Sequence, residues 1–289
     1  MPRKSSEARA ATHAALRLRY RAGIGLTEPA SPIDVAEKFG ISVWFLRAPS
    51  MEGMLVKAPH AQIVLSSLRP AGRINFTCAH ELGHFWFGHG IHVDLADSST
   101  PALREDKDDE FVADRFASAL LMPKTTVQSG FVRRRVEVSN ALPHQVLAVA
   151  NWLGVGYTTL VNHLRIHLDI LSESHARDLL RHRPKQIASE LMGRKIAGPV
   201  ILVDRSWRSR PIDLIVGDTA LIEGEASAIG TCVALVEVAD RFSLVSAVAP
   251  GAGLIDGGAG WSSHVRVRRA EYEGRSIYRH LEEVEDRDD

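Results

Sequence analysis

An α+β fold in three successive parts is predicted from two contrasts along the chain and one motif. Helical periodicity dominates up to about residue 195, apart from a group of strand-like runs at 41–66. Beyond Gly198 the apolar runs read as strands. The motif is HisGluLeuGlyHis at 80–84, set in an apolar helical stretch. The three parts are placed at 1–126 (a compact mixed domain around the motif), 127–195 (helical, of helix-turn-helix character) and 196–289 (β-rich, expected to sense a signal or dock a partner). A length of 289 residues suits two or three domains.

The first helix is expected over residues 8–22, where Ala8, Ala11, Ala15, Leu18 and Ala22 share a face. Ser31 as N-cap, Pro32 at the first helical position and Gly40 as terminator define a second. Strands follow at Ile41–Leu46, Gly53–Lys57 and Gln62–Ser66, the last two as a hairpin. Ile74–Phe87 carries the motif and closes at Gly88 and Gly90. A polar, acidic segment from Asp94 to Asp109 leads into a helix at Glu110–Met122, stopped by Pro123; its acidic start suits the positive end of the helix dipole. In the last part, strands are expected at 200–204, 212–216, 232–238, 243–248 and 264–268.

Lys plus Arg and Asp plus Glu both number 35, so the chain as a whole lacks the basic excess of a nucleic-acid binder. From Phe131 to Lys195, however, ten basic residues face five acidic ones. The two cysteines, Cys78 and Cys232, form no CxxC pair and no disulfide framework. No run of 18 apolar residues spans a membrane, and the basic, Ala-rich N-terminus lacks the apolar core of a secretion signal. A cytoplasmic location is expected.

HisGluLeuGlyHis is an HExxH sequence. On a helix, residues i and i+4 lie one turn apart on one face, so both imidazoles reach one ion at about 2.0–2.1 Å. This points to His80 and His84 as ligands of Zn²⁺, with Mn²⁺ as its substitute, and to Glu81 as the general base that deprotonates the attacking water. An ordinary amphipathic helix with unliganded histidines is the competing reading. The apolar neighbours Phe76, Leu82, Phe85, Trp86 and Phe87 fit a buried catalytic helix better. Gly83 would admit another backbone closely.

The third ligand is less directly legible. The metzincin pattern requires Gly at 87 and His at 90, where this chain has Phe87 and Gly90. His89 reads as a solvent-exposed residue at the helix end. Glu110 opens the next helix with Asp114 one turn later; a glutamate there completes the His₂Glu set of catalytic zinc, and Asp114 is placed to hold the second ring nitrogen of a ligand histidine. Asp106 and Asp109 remain the rival ligands.

PheThrCysAlaHisGluLeuGlyHis at 76–84, followed by AlaAspArgPheAlaSerAlaLeuLeuMetPro at 113–123, resembles the ImmA/IrrE family of zinc metallopeptidases. The resemblance runs from about Ala8 to Pro123 and loosely on to Leu168. It implies a gluzincin-like α+β peptidase in which His80, His84 and Glu110 bind the metal and Glu81 is the base. Cys78 stands where the family usually has an apolar residue. The family's members cleave helix-turn-helix repressors. The resemblance therefore implies a site-specific endopeptidase whose partner is a repressor protein and whose cut derepresses stress-response or mobile-element genes. The alternatives are a zinc-containing DNA-binding transcription factor and an inactive, antitoxin-like binding module; an inactive module has no need of the base that Glu81 supplies.

Several features lie outside the motif. Gln62–Ser66 is expected either as an exposed edge strand that binds substrate by strand addition or as a plain sheet edge. His144, Tyr157 and His163 are candidate oxyanion donors. Ala150, Gly154 and Leu160 have helix-turn-helix spacing, read as a helix pair packing on the peptidase with DNA binding as the alternative. ArgArgArg at 133–135 reads as a solvated charge run, with phosphate contact as the alternative. Gly251–Asp256 lacks the third glycine of a dinucleotide fingerprint and reads as a flexible loop.

Overall fold

The computed structural model describes residues 2–90, 92–95, 107–208, 210–239, 241–258 and 260–282. Glu105, Asp106 and the end of the acidic tail lie outside them. The fold is α+β, as predicted.

Helix α1 spans Pro2–Arg21 and buries Ala11, Ala14, Ala15 and Leu18. These small residues allow close packing on α4 (Lys107–Leu121). Arg19 is fully buried between them. It donates to the Leu120 carbonyl at 2.7 Å and to the Gly25 carbonyl at 2.9 Å, supplying partners that the end of α4 and the turn after α1 lack within themselves. Burial lowers its pKa to about 10.

Helix α2 (Pro32–Lys38) starts as expected, with the Ser31 side chain accepting from the Asp34 amide. Strands β1 (Ser42–Leu46), β2 (Met51–Val56) and β3 (Gln62–Ser66) follow, then α3 (Ala71–Phe87) and β4 (His92–Leu95). The expected hairpin is present: β2 and β3 pair antiparallel, with Gly53 opposite Leu65. Gln62–Ser66 is not an edge, however. With a short strand β13 (Gly274–Arg275) at one edge, the sheet order is β13-β1-β3-β2-β4, so β3 is hydrogen-bonded on both sides. Its partners explain the error. β1 runs parallel to it, and the outer positions are taken by β4, which only overlaps the start of the segment read as polar and acidic, and by β13, over two hundred residues away.

The helical segment contains α5 (Lys124–Arg133), α6 (Pro143–Leu153), α7 (Tyr157–Asn162), α8 (Glu173–Leu179) and α9 (Pro184–Met192). α6 and α7 are joined through Gly154, whose φ of 74° makes the turn that the spacing predicted. α7 continues into a wider turn at His163–His167. The Trp152 indole is fully buried and donates to the Ser206 carbonyl, tying this segment to the β-rich part.

That part opens with β5 (Val200–Val203), β6 (Ile212–Ile215), β7 (Thr219–Glu223), β8 (Ser227–Ile229), β9 (Val233–Val238) and β10 (Phe242–Ala247). It continues with β11 (Gly251–Asp256) and β12 (Ser262–Arg268). Two four-stranded sheets result, β5-β7-β10-β9 and β6-β12-β11-β8. Gly251–Asp256 is therefore an inner strand and not a flexible loop. Gly253 makes this pairing fit, because a Cβ there would lie 2.6 Å from the Ile229 carbonyl and 3.1 Å from Cys232 Sγ. No described helix is long and apolar enough to cross a membrane.

Candidate metal centre

The motif helix α3 is enclosed. Every residue from Thr77 to His84 is buried, because the sheet covers one side and α4 the other. Two glycines set the distances. Gly83 lies under α4, where an added Cβ would be 3.0 Å from Ala113 Cα and 3.3 Å from Phe116 Cβ. Gly53 of β2 lies over α3, where a Cβ would meet Thr77 Cγ2 at 2.4 Å and Glu81 Oε1 at 3.3 Å. The close approach expected at Gly83 is present; Gly53 has the same function on the opposite face and was not singled out from the sequence.

The helix pair brings His80, His84 and Glu110 together. Their ligand atoms all lie within 4.8 Å of one another. The two Nε2 atoms are 2.9 Å apart, and the Glu110 carboxylate oxygens lie 3.3 Å from His80 Nε2 and 3.2 Å from His84 Nε2. Donors on a tetrahedral ion bound at about 2.0–2.1 Å sit roughly 3.3 Å apart. The cluster fits a small divalent cation in both donor type and spacing. It is also ill-suited to remaining empty, since two buried imidazole nitrogens face each other at 2.9 Å across a carboxylate. Glu81, on the same helix, has no exposed surface.

Each histidine is held from behind. His80 Nδ1 is 3.0 Å from Asp114 Oδ1, the contact that the Glu-x-x-x-Asp spacing predicts. His84 Nδ1 is 2.9 Å from His89 Nδ1, and His89 Nε2 is 3.2 Å from Asp109 Oδ1. With Nε2 of His84 turned to the cluster, Nδ1 carries its ring proton and donates to His89, which donates in turn to Asp109. Burial lowers the pKa of His89, in keeping with the neutral form that accepts here.

The solvent-exposed reading of His89 is thus corrected. Gly88, at φ 73°, ends α3 in the left-handed conformation. The chain folds back so that the His89 amide donates to the His84 carbonyl at 3.0 Å, and only 11% of the side chain remains exposed. Asp109, a rival ligand, is used on His89; Asp106 lies outside the described residues.

Two of the three oxyanion candidates are engaged elsewhere. The Tyr157 hydroxyl donates to the Leu179 carbonyl at 3.0 Å. His163 Nε2 donates to the Met122 carbonyl at 2.8 Å. His144 lines a cavity beside Arg133, Arg134 and Arg135. Within that run Arg134 is not solvated, because it is buried against Asp204 at 2.7 Å. Cys78 is fully buried, and burial raises its thiol pKa. The second helix of the helix-turn-helix unit turns Thr159, Asn162 and His163 towards Phe111, Asp114 and Arg115 of α4, around a cavity of about 320 Å³ beside the metal cluster. This agrees with a helix pair packed on the peptidase.

Comparison with curated proteins finds no match. Residues 36–165 match the IrrE N-terminal-like domain family, Peptidase_M78. The match begins within α2, contains the whole metal cluster and ends in the helix-turn-helix unit. Over this segment the match supports membership of the ImmA/IrrE family and a metallopeptidase-type domain.

Proposed function

We propose that the chain is a zinc-dependent, site-specific endopeptidase that cleaves a helix-turn-helix transcriptional repressor and so derepresses stress-response or mobile-element genes, acting in the cytoplasm. The observation that carries this reading is the convergence of His80, His84 and Glu110 with Glu81 on the same helix. His80, His84 and Glu110 hold the metal. When bound, zinc acts as a Lewis acid on the scissile carbonyl and lowers the pKa of water; Mn²⁺ is the alternative ion.

The other steps belong to the chain. Glu81 accepts the proton of the attacking water and returns it to the leaving amine. Asp114 and the His89–Asp109 pair fix the ring orientation and tautomer of the two histidines. The cavity lined by Phe76, Phe111, Asp114 and Asn162 adjoins the cluster and offers an apolar wall for a substrate side chain.

The test combines purified protein, Zn²⁺ or Mn²⁺ and a helix-turn-helix repressor encoded beside it. Cleavage is expected with wild type and is expected to fall by about 10²–10⁴-fold in Glu81→Gln, with metal stoichiometry unchanged. Undiminished cleavage by Glu81→Gln would sink the mechanism. Tight duplex binding without cleavage of any repressor would instead support a transcription factor.

A further inference from the structure

The β-rich part meets the start of α3 across a second cavity, of about 130 Å³. Its lining includes Ala71 and Gly72 from the first turn of α3, together with Arg210, Asp213, Arg268 and Arg279. No residue of the metal cluster contributes to it. Its charges do not balance. Asp213 is held by Arg266 at 2.7 Å, and Arg279 is held by Asp34 at 2.9 Å. Arg210 donates to the Trp152 carbonyl near the end of α6.

Arg268 has no comparable partner. It is 5% exposed and makes no ion pair among the described residues. Its contacts are a 3.4 Å hydrogen bond to the Arg269 carbonyl and the ring face of Phe45, 4.9 Å away. Around the cavity Arg210, Arg266, Arg268 and Arg279 thus face Asp34, Asp213 and, near Arg268 but in no ion pair with it, Asp218, an excess of one positive charge among these groups. Burial lowers the pKa of Arg210 and of Arg268 to about 10, which leaves both charged near neutrality. The first turn of α3 has no acidic residue and no side-chain cap, so its positive end adds to the imbalance. A buried cation with no counter-charge in contact is costly, and water alone does not neutralise it.

We propose that this cavity is a binding site for a small oxyanion of the phosphate class, with the Arg268 guanidinium as its main counter-charge and Arg210, Arg279 and the first turn of α3 beside it. Size narrows the ligand. The cavity accommodates one phosphate group, whereas drug-sized ligands occupy pockets of roughly 300 Å³ or more. The anion is either free phosphate or the phosphoryl end of a small metabolite. Its place gives it contact with both the β-rich part and the helix that carries His80 and His84.

The full chain, in chloride buffer at constant ionic strength, is titrated calorimetrically with inorganic phosphate and separately with glycerol 3-phosphate. Saturable binding is expected for at least one. The tighter of the two identifies a free ion or a phosphomonoester as the ligand, and either result supports the site. The melting temperature is expected to rise by about 5 °C at a hundredfold excess over Kd. Arg268→Met is expected to weaken binding at least tenfold, and Arg268→Lys to restore it only in part, because lysine lacks the planar fork. If Arg268→Met does not fold in chloride, wild-type crystals soaked in tungstate give an independent answer: an anomalous peak is expected within hydrogen-bonding distance of Arg268. Absence of saturable binding, undiminished binding by a folded Arg268→Met, or a tungstate peak away from Arg268 would overturn the proposal.

Discussion

The motif helix α3 meets the rest of the protein through two contrasting contacts. Along its length it lies against α4, where a glycine allows close approach and the polar groups are histidines backed by carboxylates. At its first turn it faces the β-rich part across a cavity lined by arginines. The first contact is dry and closely spaced, as a ligand set requires, because metal donors tolerate errors of only a few tenths of an ångström. The second is charged and leaves an open cavity between its elements. The candidate metal ligands therefore lie on the closely packed contact, and the residues of the proposed anion site on the charged, open one.

Gly83→Val should break the rigid contact most severely. The new side chain meets Ala113 Cα and Phe116 Cβ and forces α4, with Glu110, away from the histidines. Overpacking of this kind costs about 1–3 kcal/mol in stability. Metal affinity should fall by more than the roughly 10–100-fold that follows loss of a supporting group, because a ligand itself is displaced. Zinc competition with a chromophoric chelator measures the affinity and urea denaturation the stability. A variant that kept wild-type affinity would show that α3 and α4 are not rigidly spaced.

His163 tests whether the far end of α4 is equally dry. It is 5% exposed, and its pKa is pushed down to about 4 by burial first, then by His167 and Arg115, against the raising effect of the Met122 carbonyl. The unfolded chain binds this proton near pH 6.5 and the folded chain only near 4. Stability is therefore complete above pH 6.5 and declines as pH falls towards 4, by roughly 3 kcal/mol from this group. His163→Gln can still donate to Met122 but cannot take up a proton. Its stability should decline less than wild type between pH 6.5 and 4.5 in urea denaturation; parallel curves would show that the site admits water.

Asp114→Ala acts on the support of a single ligand. Removing the acceptor 3.0 Å from His80 Nδ1 frees the ring to rotate and lowers its basicity. A loss of about 10–100-fold in metal affinity is expected, with little change in the fold because the Asp114 side chain is 61% exposed. No loss would mean that Gly83 and the helix packing alone orient the histidine.

These positions differ in how clearly the sequence announces them. His80, Glu81 and His84 follow from helical spacing, and Asp114 follows from Glu110 by the same rule. His89 does not, because Gly88 leaves the helix at positive φ and invalidates any angle counted round the axis. β11 was hidden because Gly251 and Gly253 carry no side chains that could show a period-two pattern; their role is to let β8 and Cys232 approach. The inner position of β3 depends on pairing with β1, β2 and their distant neighbours β4 and β13, which no local pattern encodes. Arg268 sits in a HisValArgValArg alternation that places it in a strand but does not reveal that the guanidinium is buried. Local periodicity thus exposed the rigid helical contact, whereas the charged contact depends on residues brought together from both ends of the chain.

Asp34→Asn addresses that charged contact and should have the smallest effect. Its carboxylate bridges Arg279 at 2.9 Å and Arg266 at 3.3 Å. Burial alone would raise its pKa, but the two guanidinium groups outweigh burial and hold it below the usual carboxylate value. The contribution is therefore present above about pH 4 and is lost as pH falls through the lowered value. Because 44% of the side chain is exposed, solvent screening limits the pair to about 1 kcal/mol or less. Urea denaturation at pH 7 should show this small loss, and 1 M NaCl should shrink the difference between variant and wild type further. A loss of about 3 kcal/mol or more, insensitive to salt, would mean that the arginine cluster is as dry as the metal face. The anion would then have to enter through a local opening of the interface.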